Sequence, residues 1–396
     1  MRDLRELLRR PEGIRAENRL KILRAIMATS SNQTHLVRRS GMSSATVSGV
    51  VNELEADGIV HCTRRPPNVF VTMNPTTGVA VGIELGFQNT AVVARKVHQS
   101  VAEARVRSVH VGGNSGVRRW LEAVVDAICS IASEVGRGPE DLVTVGLGIP
   151  RAVNPRTQQL TPPLLAPWEG IADPAGQITQ RLRETARGNG YELPEALQVR
   201  VDNDAALGAF AESTYTYPLK ETLVYIKAST GVGAGIVISG RVFRGRRGAA
   251  GEIGHTTVDR EGRFCLCGGR GCLETLIGSN SLLDEVAILD RPPKTLDELA
   301  ERARLGNAVC RRVLQEAAGR LGRTIGDLCN LLNPDVVVLG GAMGRAADLV
   351  LEPCRAGIRE SAVAAAHEDE FELVASTVEH ATAHGAWLLG IEGTEY

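Results

Sequence analysis

The sequence predicts an α/β protein made of a small N-terminal winged helix-turn-helix and a larger, two-lobed α/β body. Three observations predict it. Residues 1–73 carry three stretches of helical periodicity followed by two short β-prone runs. Further on, a strand, a polar turn and a second strand occur twice, with helical segments in between. Charge divides at the same place: residues 1–70 hold 12 Arg and Lys against 7 Asp and Glu, and residues 71–396 hold 33 against 39. A basic head on an acidic body fits contact with nucleic acid through the head.

The chain has 396 residues, more than one ordinary core organises. Aromatic residues are only 4%, so the cores must be built from Val, Leu, Ile and Ala. No apolar run approaches the roughly 18 residues that read as a membrane span. The charged start, Met1-Arg2-Asp3-Leu4-Arg5-Glu6, lacks the apolar core of a signal peptide. A cytoplasmic protein without a membrane partner is expected. Eight cysteines there do not read as a disulfide framework. Cys62, Cys129, Cys310, Cys329 and Cys354 are scattered and read as small buried hydrophobes. Cys265, Cys267 and Cys272 fall together and need another account.

In the head, Leu20, Leu23, Ile26 and Met27 give a first helix its apolar stripe. Asn32 reads as the N-cap of a short second helix through Leu36 and Val37, closed by a turn at Gly41. Ser43 caps a third helix, in which Val47, Val50, Val51 and Leu54 face the head's own core. Its other face shows Ser44, Thr46, Ser48 and Asn52, small polar side chains able to lie close to DNA and bond to base edges or phosphates. Gly58 ends that helix. Ile59–Cys62 and Val69–Val71 read as strands joined by Thr63-Arg64-Arg65-Pro66-Pro67-Asn68, a wing whose Arg64 and Arg65 would reach phosphates or a minor groove. A three-helix protein-interaction domain is the alternative; it leaves the capped third helix and basic wing without a purpose.

Asn74–Gly78 reads as a linker. The body follows, with a first lobe expected over 74–200, joined by a C-terminal helix over 378–396, and a second lobe over 201–377. Ala80–Glu84 and Asn89–Ala94 form the first strand pair, turning at Gly86. Leu223–Lys227 and Ala234–Ser239 form the second, turning through Ser229–Gly233. A cleft between two such lobes is the default place for a ligand.

The stretch from Thr230-Gly231-Val232-Gly233-Ala234-Gly235 through Ala250-Gly251-Glu252-Ile253-Gly254-His255 resembles the signature of the ROK family, whose members are repressors, uncharacterised open reading frames and sugar kinases. Val201-Asp202-Asn203-Asp204-Ala205, the run Cys265–Glu274 and Asn333–Gly341 resemble that family too, the last its adenosine-side motif. The likeness spans essentially the whole chain, because family repressors carry an N-terminal winged helix that the kinases lack. It implies an actin-like, ribonuclease-H-type body with two lobes.

His255, Cys265, Cys267 and Cys272 offer one imidazole and three thiolates, a set suited to closed tetrahedral zinc. Their spacing alone leaves reduced structural cysteines near a loop as an equal reading. The resemblance implies that these four positions ligate a structural zinc. It also implies that Asn203, Asp204, Glu252, His255 and Glu274 line a sugar site, and that the counterpart of Asp204 in the kinases is the general base. One loop departs from the family: Arg151 follows Gly148-Ile149-Pro150 where glycine is usual, which leaves the sugar's identity open.

The kinases' first phosphate turn has the form Asp-x-Gly-Gly-Thr-Lys. Here it reads Glu84-Leu85-Gly86-Phe87-Gln88-Asn89: Phe87 adds bulk and Asn89 removes the cation. The second phosphate turn keeps Gly231, Gly233 and Gly235. Phosphoryl transfer rests on positioning and charge neutralisation, so loss of one turn predicts a sensor without catalytic residues and without bound ATP and magnesium. The alternative is an ATP-dependent sugar kinase, with Asp204 as its catalytic residue, or a kinase that also regulates. The expected partners are an operator duplex, a sugar effector and further copies of the chain, as a homodimer or homotetramer.

Overall fold

Runs such as Val79–Leu85 and Leu142–Ile149, buried at nearly every position, mark strands covered on both faces. In the computed structural model they lie at the centre of a sheet packed by helices on each side. The structure describes residues 13–28, 31–65, 68–161, 171, 173–366 and 371–392. The parts of the predicted head, wing and C-terminal helix at 1–12, 29–30, 66–67 and 393–396 lie outside them.

Contacts divide the chain into two compact units, one over Met1–Leu219 with His380–Tyr396 and one over Lys220–Glu379. In the first unit, α1 (Ile14–Ala28), α2 (Gln33–Ser40) and α3 (Ser44–Ala56) precede a hairpin of β2 (Val60–Arg65) and β3 (Asn68–Met73). The short β1 (Ser31–Asn32) adds to β3 to make a sheet of order β1-β3-β2. Asn32 accepts the His35 N–H at 2.8 Å and Ser43 accepts the Thr46 N–H at 3.1 Å, so both caps sit where the sequence places them. Val47, Val50, Val51 and Leu54 are buried against α1 and the sheet. Arg19 of α1 pairs with Asp57, and Arg15 with Glu53, tying α1 to the C-terminal half of α3.

The rest of this unit is a sheet of order β6-β5-β4-β7-β8, formed by β4 (Val79–Leu85), β5 (Thr90–Lys96), β6 (Arg105–Val109), β7 (Leu142–Ile149) and β8 (Gln198–Asn203). The β4–β5 and β5–β6 pairs are antiparallel; β4–β7 and β7–β8 are parallel. Helices α4 (Val117–Val135) and α5 (Pro174–Gly188) cover one face with Trp120, Ile128, Ile178 and Leu182. On the other face lie α6 (Asp204–Tyr215) and the terminal α13 (Ala381–Glu392). A Cβ on Gly146 would stand 1.8 Å from the Ala386 carbonyl, and one on Gly82 2.0 Å from that of Ala383. Bare strand backbone there lets α13 lie directly on the sheet.

The second unit repeats the topology, with order β11-β10-β9-β12-β13 and the same alternation of antiparallel and parallel pairs. Its strands are β9 (Thr222–Ala228), β10 (Val232–Ile238), β11 (Arg241–Phe243), β12 (Val336–Gly340) and β13 (Glu372–Ala375). Between them come α7 (Glu274–Ile277), α8 (Ser279–Glu285), α9 (Leu296–Arg304), α10 (Ala308–Leu332), α11 (Gly341–Arg345) and α12 (Ala347–Ser361). Leu314, Leu321 and Ile325 of α10 share its core with Val224 and Ile226.

Two boundaries differ from the sequence reading. The lobe division expected at 200/201 falls inside β8, which is hydrogen-bonded to β7, so residues 201–219 stay with the first unit. Val232 and Gly233 belong to β10, because the ladder opposite Ala228 and Lys227 already includes them; the turn itself is Ser229–Gly231.

Candidate functional site

The first candidate surface is the outer face of α3. Residues 44–52 contain no charged side chain. Ser44 and Asn52 are exposed, Thr46 and Ser48 half-buried. The Ser43 oxygen is committed to the Thr46 N–H and hydroxyl, so Ser43 acts first as a cap. The acidic residues of α3 and its C-cap point elsewhere: Glu53 and the capping Asp57 pair with α1, and Glu55 accepts the Cys62 N–H at 3.1 Å. Arg64 and Arg65 end β2 in the open, Arg64 with only a 3.7 Å approach to Glu55.

The second site is the cysteine loop. The ligand atoms of His255, Cys265, Cys267 and Cys272 all lie within 4.8 Å of one another. Cys265 Sγ is 3.6 Å from His255 Nδ1, and Cys267 Sγ is 3.6 Å from Cys272 Sγ. A tetrahedral ion bound by thiolates and imidazole has edges of about 3.8 Å between sulfurs and about 3.6 Å from sulfur to nitrogen. The donor set therefore fits a four-coordinate metal. The knuckle closes through Cys265 N–H to Gly269 O, at 2.9 Å, and Gly268 N–H to Cys265 O, at 3.0 Å. Gly271 is required: its φ is +68°, and a Cβ would fall 1.4 Å from the Asp259 carbonyl. Burial pushes the Cys272 thiol up to about 12, and the neighbouring thiols act in the same direction. A bound cation would reverse that tendency. With Nδ1 facing the sulfurs, Nε2 of His255 is left 3.7 Å from Glu252.

The predicted sugar residues divide between the units. In the first, Asn203 ends β8 and Asp204 begins α6. Asn203 caps the helix by accepting the Ala206 N–H, and its amide donates to the Arg151 carbonyl at 3.3 Å. The off-pattern Arg151 is thus tied by its backbone to Asn203. Asp204 is buried and accepts the N–H of Ala205. In the second unit, Glu252 and His255 flank one short turn, and Glu274 opens α7 with its carboxylate on the β9–β10 turn, accepting the Val232 N–H at 3.0 Å. Thr382 was missed by sequence reasoning; its hydroxyl donates to the Asp204 carbonyl from 178 residues away, and no local pattern marks it.

The two phosphate turns differ. In the first, Gly86 N–H closes on Asn89 O at 2.9 Å, and Asn89 Oδ1 lies 3.2 Å from His110 Nδ1. Gly113 and Asn114 donate to the carbonyls of Gly86 and Phe87, and a Cβ on Gly112 would stand 2.4 Å from the Phe87 carbonyl. The chain's own loop thus lies on the Phe87 stretch, next to Glu84 at the end of β4. In the second, only Gly231 lies in the turn; Gly233 and Gly235 sit in the ladder opposite Lys227 and Tyr225.

Comparison with known proteins places these features. A family model described as the ROK family matches residues 80–392. A xylose repressor from Caldicellulosiruptor bescii is 27% identical over 369 residues, which cover 87% of each chain. A solved ROK family transcriptional regulator, homologous to Escherichia coli Mlc, superposes with a TM-score of 0.66 over 95% of this chain and 96% of that one, at 22% identity. A ROK glucokinase from Streptomyces griseus, solved with glucose and AMPPNP, has a TM-score of 0.66 at 24% identity and covers 80% of this chain and 100% of that one. The two solved structures share the fold of this chain.

Proposed function

The chain belongs to the ROK family, and from that premise we propose that it is a sugar-responsive transcriptional repressor whose kinase-like body binds a sugar without phosphorylating it. The observation that carries this reading is the head. It precedes the family region, which starts at residue 80. It has the helix-turn-helix and β-wing order, an uncharged small-residue face on α3 and two exposed arginines at the wing. That combination suits a helix seated in a major groove with cations on the flanking phosphates. A near-full-length relative being a xylose repressor supports the same reading.

In the body, Asn203, Asp204, Glu252, His255 and Glu274 would take sugar hydroxyls. The four donors around His255 would hold a structural zinc, which cross-links the loop bearing Glu252 to the start of α7. With four protein ligands it has no open position for chemistry. Two observations weigh against phosphoryl transfer: Asn89 stands where the kinases have a cation, and residues 112–114 lie on the Phe87 stretch. A kinase reading draws support from buried Asp204 at a helix N-terminus. Among the described residues no helix is long and apolar enough to cross a membrane; a cytoplasmic homodimer or homotetramer suits the role.

The test is duplex binding by fluorescence anisotropy, with and without D-xylose, D-glucose and N-acetylglucosamine, beside a coupled ATPase assay with the same sugars. The reading expects a sugar-dependent change in duplex affinity and no turnover. Turnover above about 1 s⁻¹, the low end of ordinary enzymes, would establish the kinase instead.

A further inference from the structure

Helices α6 and α13 both run from the Asp204 end of the first unit to its DNA-binding head. Asp204 is the first residue of α6, and Thr382, in the first turn of α13, donates its hydroxyl to the Asp204 carbonyl at 2.9 Å. A Cβ on Gly385 would lie 1.9 Å from the Leu207 carbonyl, so the two helices touch backbone to backbone. About 17 Å from Asp204 along α6, at 1.5 Å per residue, the head takes hold of the helix.

Three arginines make that hold. Arg39 of α2 donates to the carbonyls of Thr214 and Tyr215, at 3.1 and 3.0 Å, at the C-terminal end of α6. A cation there also meets the negative end of the helix dipole. Arg24 of α1 grips Glu392, in the last turn of α13, with two bonds of 2.8 and 2.6 Å, and its guanidinium lies 5.1 Å from the Phe210 ring centroid of α6. Arg95, fully buried on β5, sits 3.7 Å over the Trp387 ring of α13. It donates to Tyr215 Oη at 2.8 Å, to Met27 O of α1 at 3.2 Å and to Gln99 O at 2.6 Å. One guanidinium therefore touches the head, α6, α13 and the sheet.

We propose that α6 and α13 form a two-helix strut that carries the liganded state of the Asp204 end to the head, with Arg24, Arg39 and Arg95 as the positioning residues that join strut to head. The inference rests on the sensor role proposed above. A ligand closing on Asn203 and Asp204 loads the N-terminal end of α6 and, through Thr382, that of α13. A small tilt of the pair on the sheet reaches α1 and α2, because their arginines are fixed to its far end. The aim of α3 changes with them. Coupling of this kind needs contacts at each end that differ between the two states, and the Thr382–Asp204 bond and the three arginines are the contacts the strut offers for it.

The experiment measures two binding constants and their coupling in the full chain. Duplex affinity is read by anisotropy at fixed salt, on a sequence the wild-type protein selects from a random pool. Sugar affinity is read by calorimetry with D-xylose, D-glucose and N-acetylglucosamine. In the wild type, saturating sugar changes duplex affinity by about 5- to 150-fold, the usual range of such coupling. In the Arg24→Ala/Arg39→Ala variant, sugar affinity stays within about twofold of wild type while that factor falls below about twofold. Arg39→Lys, which retains a donor for both carbonyls, restores part of it. A variant that keeps the wild-type factor, or that loses sugar binding along with it, overturns the strut. If no sugar changes duplex binding by the wild type, the sensor reading fails, and hydrogen exchange judges the strut separately. Thr382→Val must then alter amide exchange in α1 and α2, and must cease to do so in the Arg24→Ala/Arg39→Ala background. Unaltered exchange in the head overturns it.

Discussion

Replacing Arg64 and Arg65 together by alanine removes the wing's exposed cations while leaving the head folded. Arg64 is 70% exposed and only approaches Glu55, at 3.7 Å; a surface pair of that kind contributes about 0–1 kcal/mol. Glu55 keeps its bond to the Cys62 N–H in the variant, so the base of the wing stays pinned. The melting temperature should move by less than about 2 °C. The effect on DNA is larger. Each phosphate neutralised contributes about −0.9 to the slope of log K against log salt, so two arginines contribute about −1.8. Counterion release alone then predicts binding weaker by about 30-fold at 0.15 M salt and about 200-fold at 0.05 M. Anisotropy titrations between these concentrations measure both quantities. A slope unchanged from wild type, or a loss independent of salt, would refute the placement of the wing on phosphates. Asn52→Ala is the contrast: its slope should stay while its preference among duplex sequences changes.

Three further outcomes are expected. Protein purified without chelator should carry one zinc per chain by elemental analysis, and Cys272→Ser should lose it with a lower melting temperature; full zinc content in that variant would remove the tetrahedral assignment. Asp204→Ala should weaken sugar binding by about 10- to 150-fold in calorimetry, the worth of a hydrogen bond to a charged group, and unchanged affinity would take the sugar away from α6. His384 gives a pH dependence: burial, helped by Arg95 and His380, pushes its pKa down to about 3. Below the unfolded value of about 6.5 the unfolded chain binds more protons, so this contribution is complete above that pH and lost as pH falls toward 3, by about 1.4 kcal/mol per unit. Between pH 7 and pH 5 the wild type should lose about 2 kcal/mol more in urea unfolding than His384→Gln; equal losses would show that His384 protonates in place.

Local chemistry was readable wherever it is written in consecutive residues. The caps at Asn32 and Ser43, the stripe Val47-Val50-Val51-Leu54 and the strands of the first lobe follow from side-chain periodicity and from oxygen acceptors placed before orphan N–H groups. The clustering of His255, Cys265, Cys267 and Cys272 was legible through the family resemblance, since their spacing alone left reduced cysteines near a loop as an equal reading. The limits of β10 were less so: glycines suggest a turn, yet Gly233 and Gly235 sit in a ladder because Ala228 and Lys227 on the facing strand pair with their segment. The two-residue β1 carries no signal at all, since its only support is Phe70 and Val71 opposite.

What the chain decides on its own is thus short-range: which stretches become helix or strand, which oxygen caps which helix, which donors share a knuckle. Tertiary structure decides what meets across long separations. Thr382 reaches Asp204 and Arg24 reaches Glu392 only once α13 lies in the gap left by Gly82 and Gly146, and Arg39 reaches the end of α6 only once the head packs on the body. A hydrogen bond between residues hundreds of positions apart leaves no mark on the periodicity of either segment, because periodicity records only that a face is buried and not what buries it.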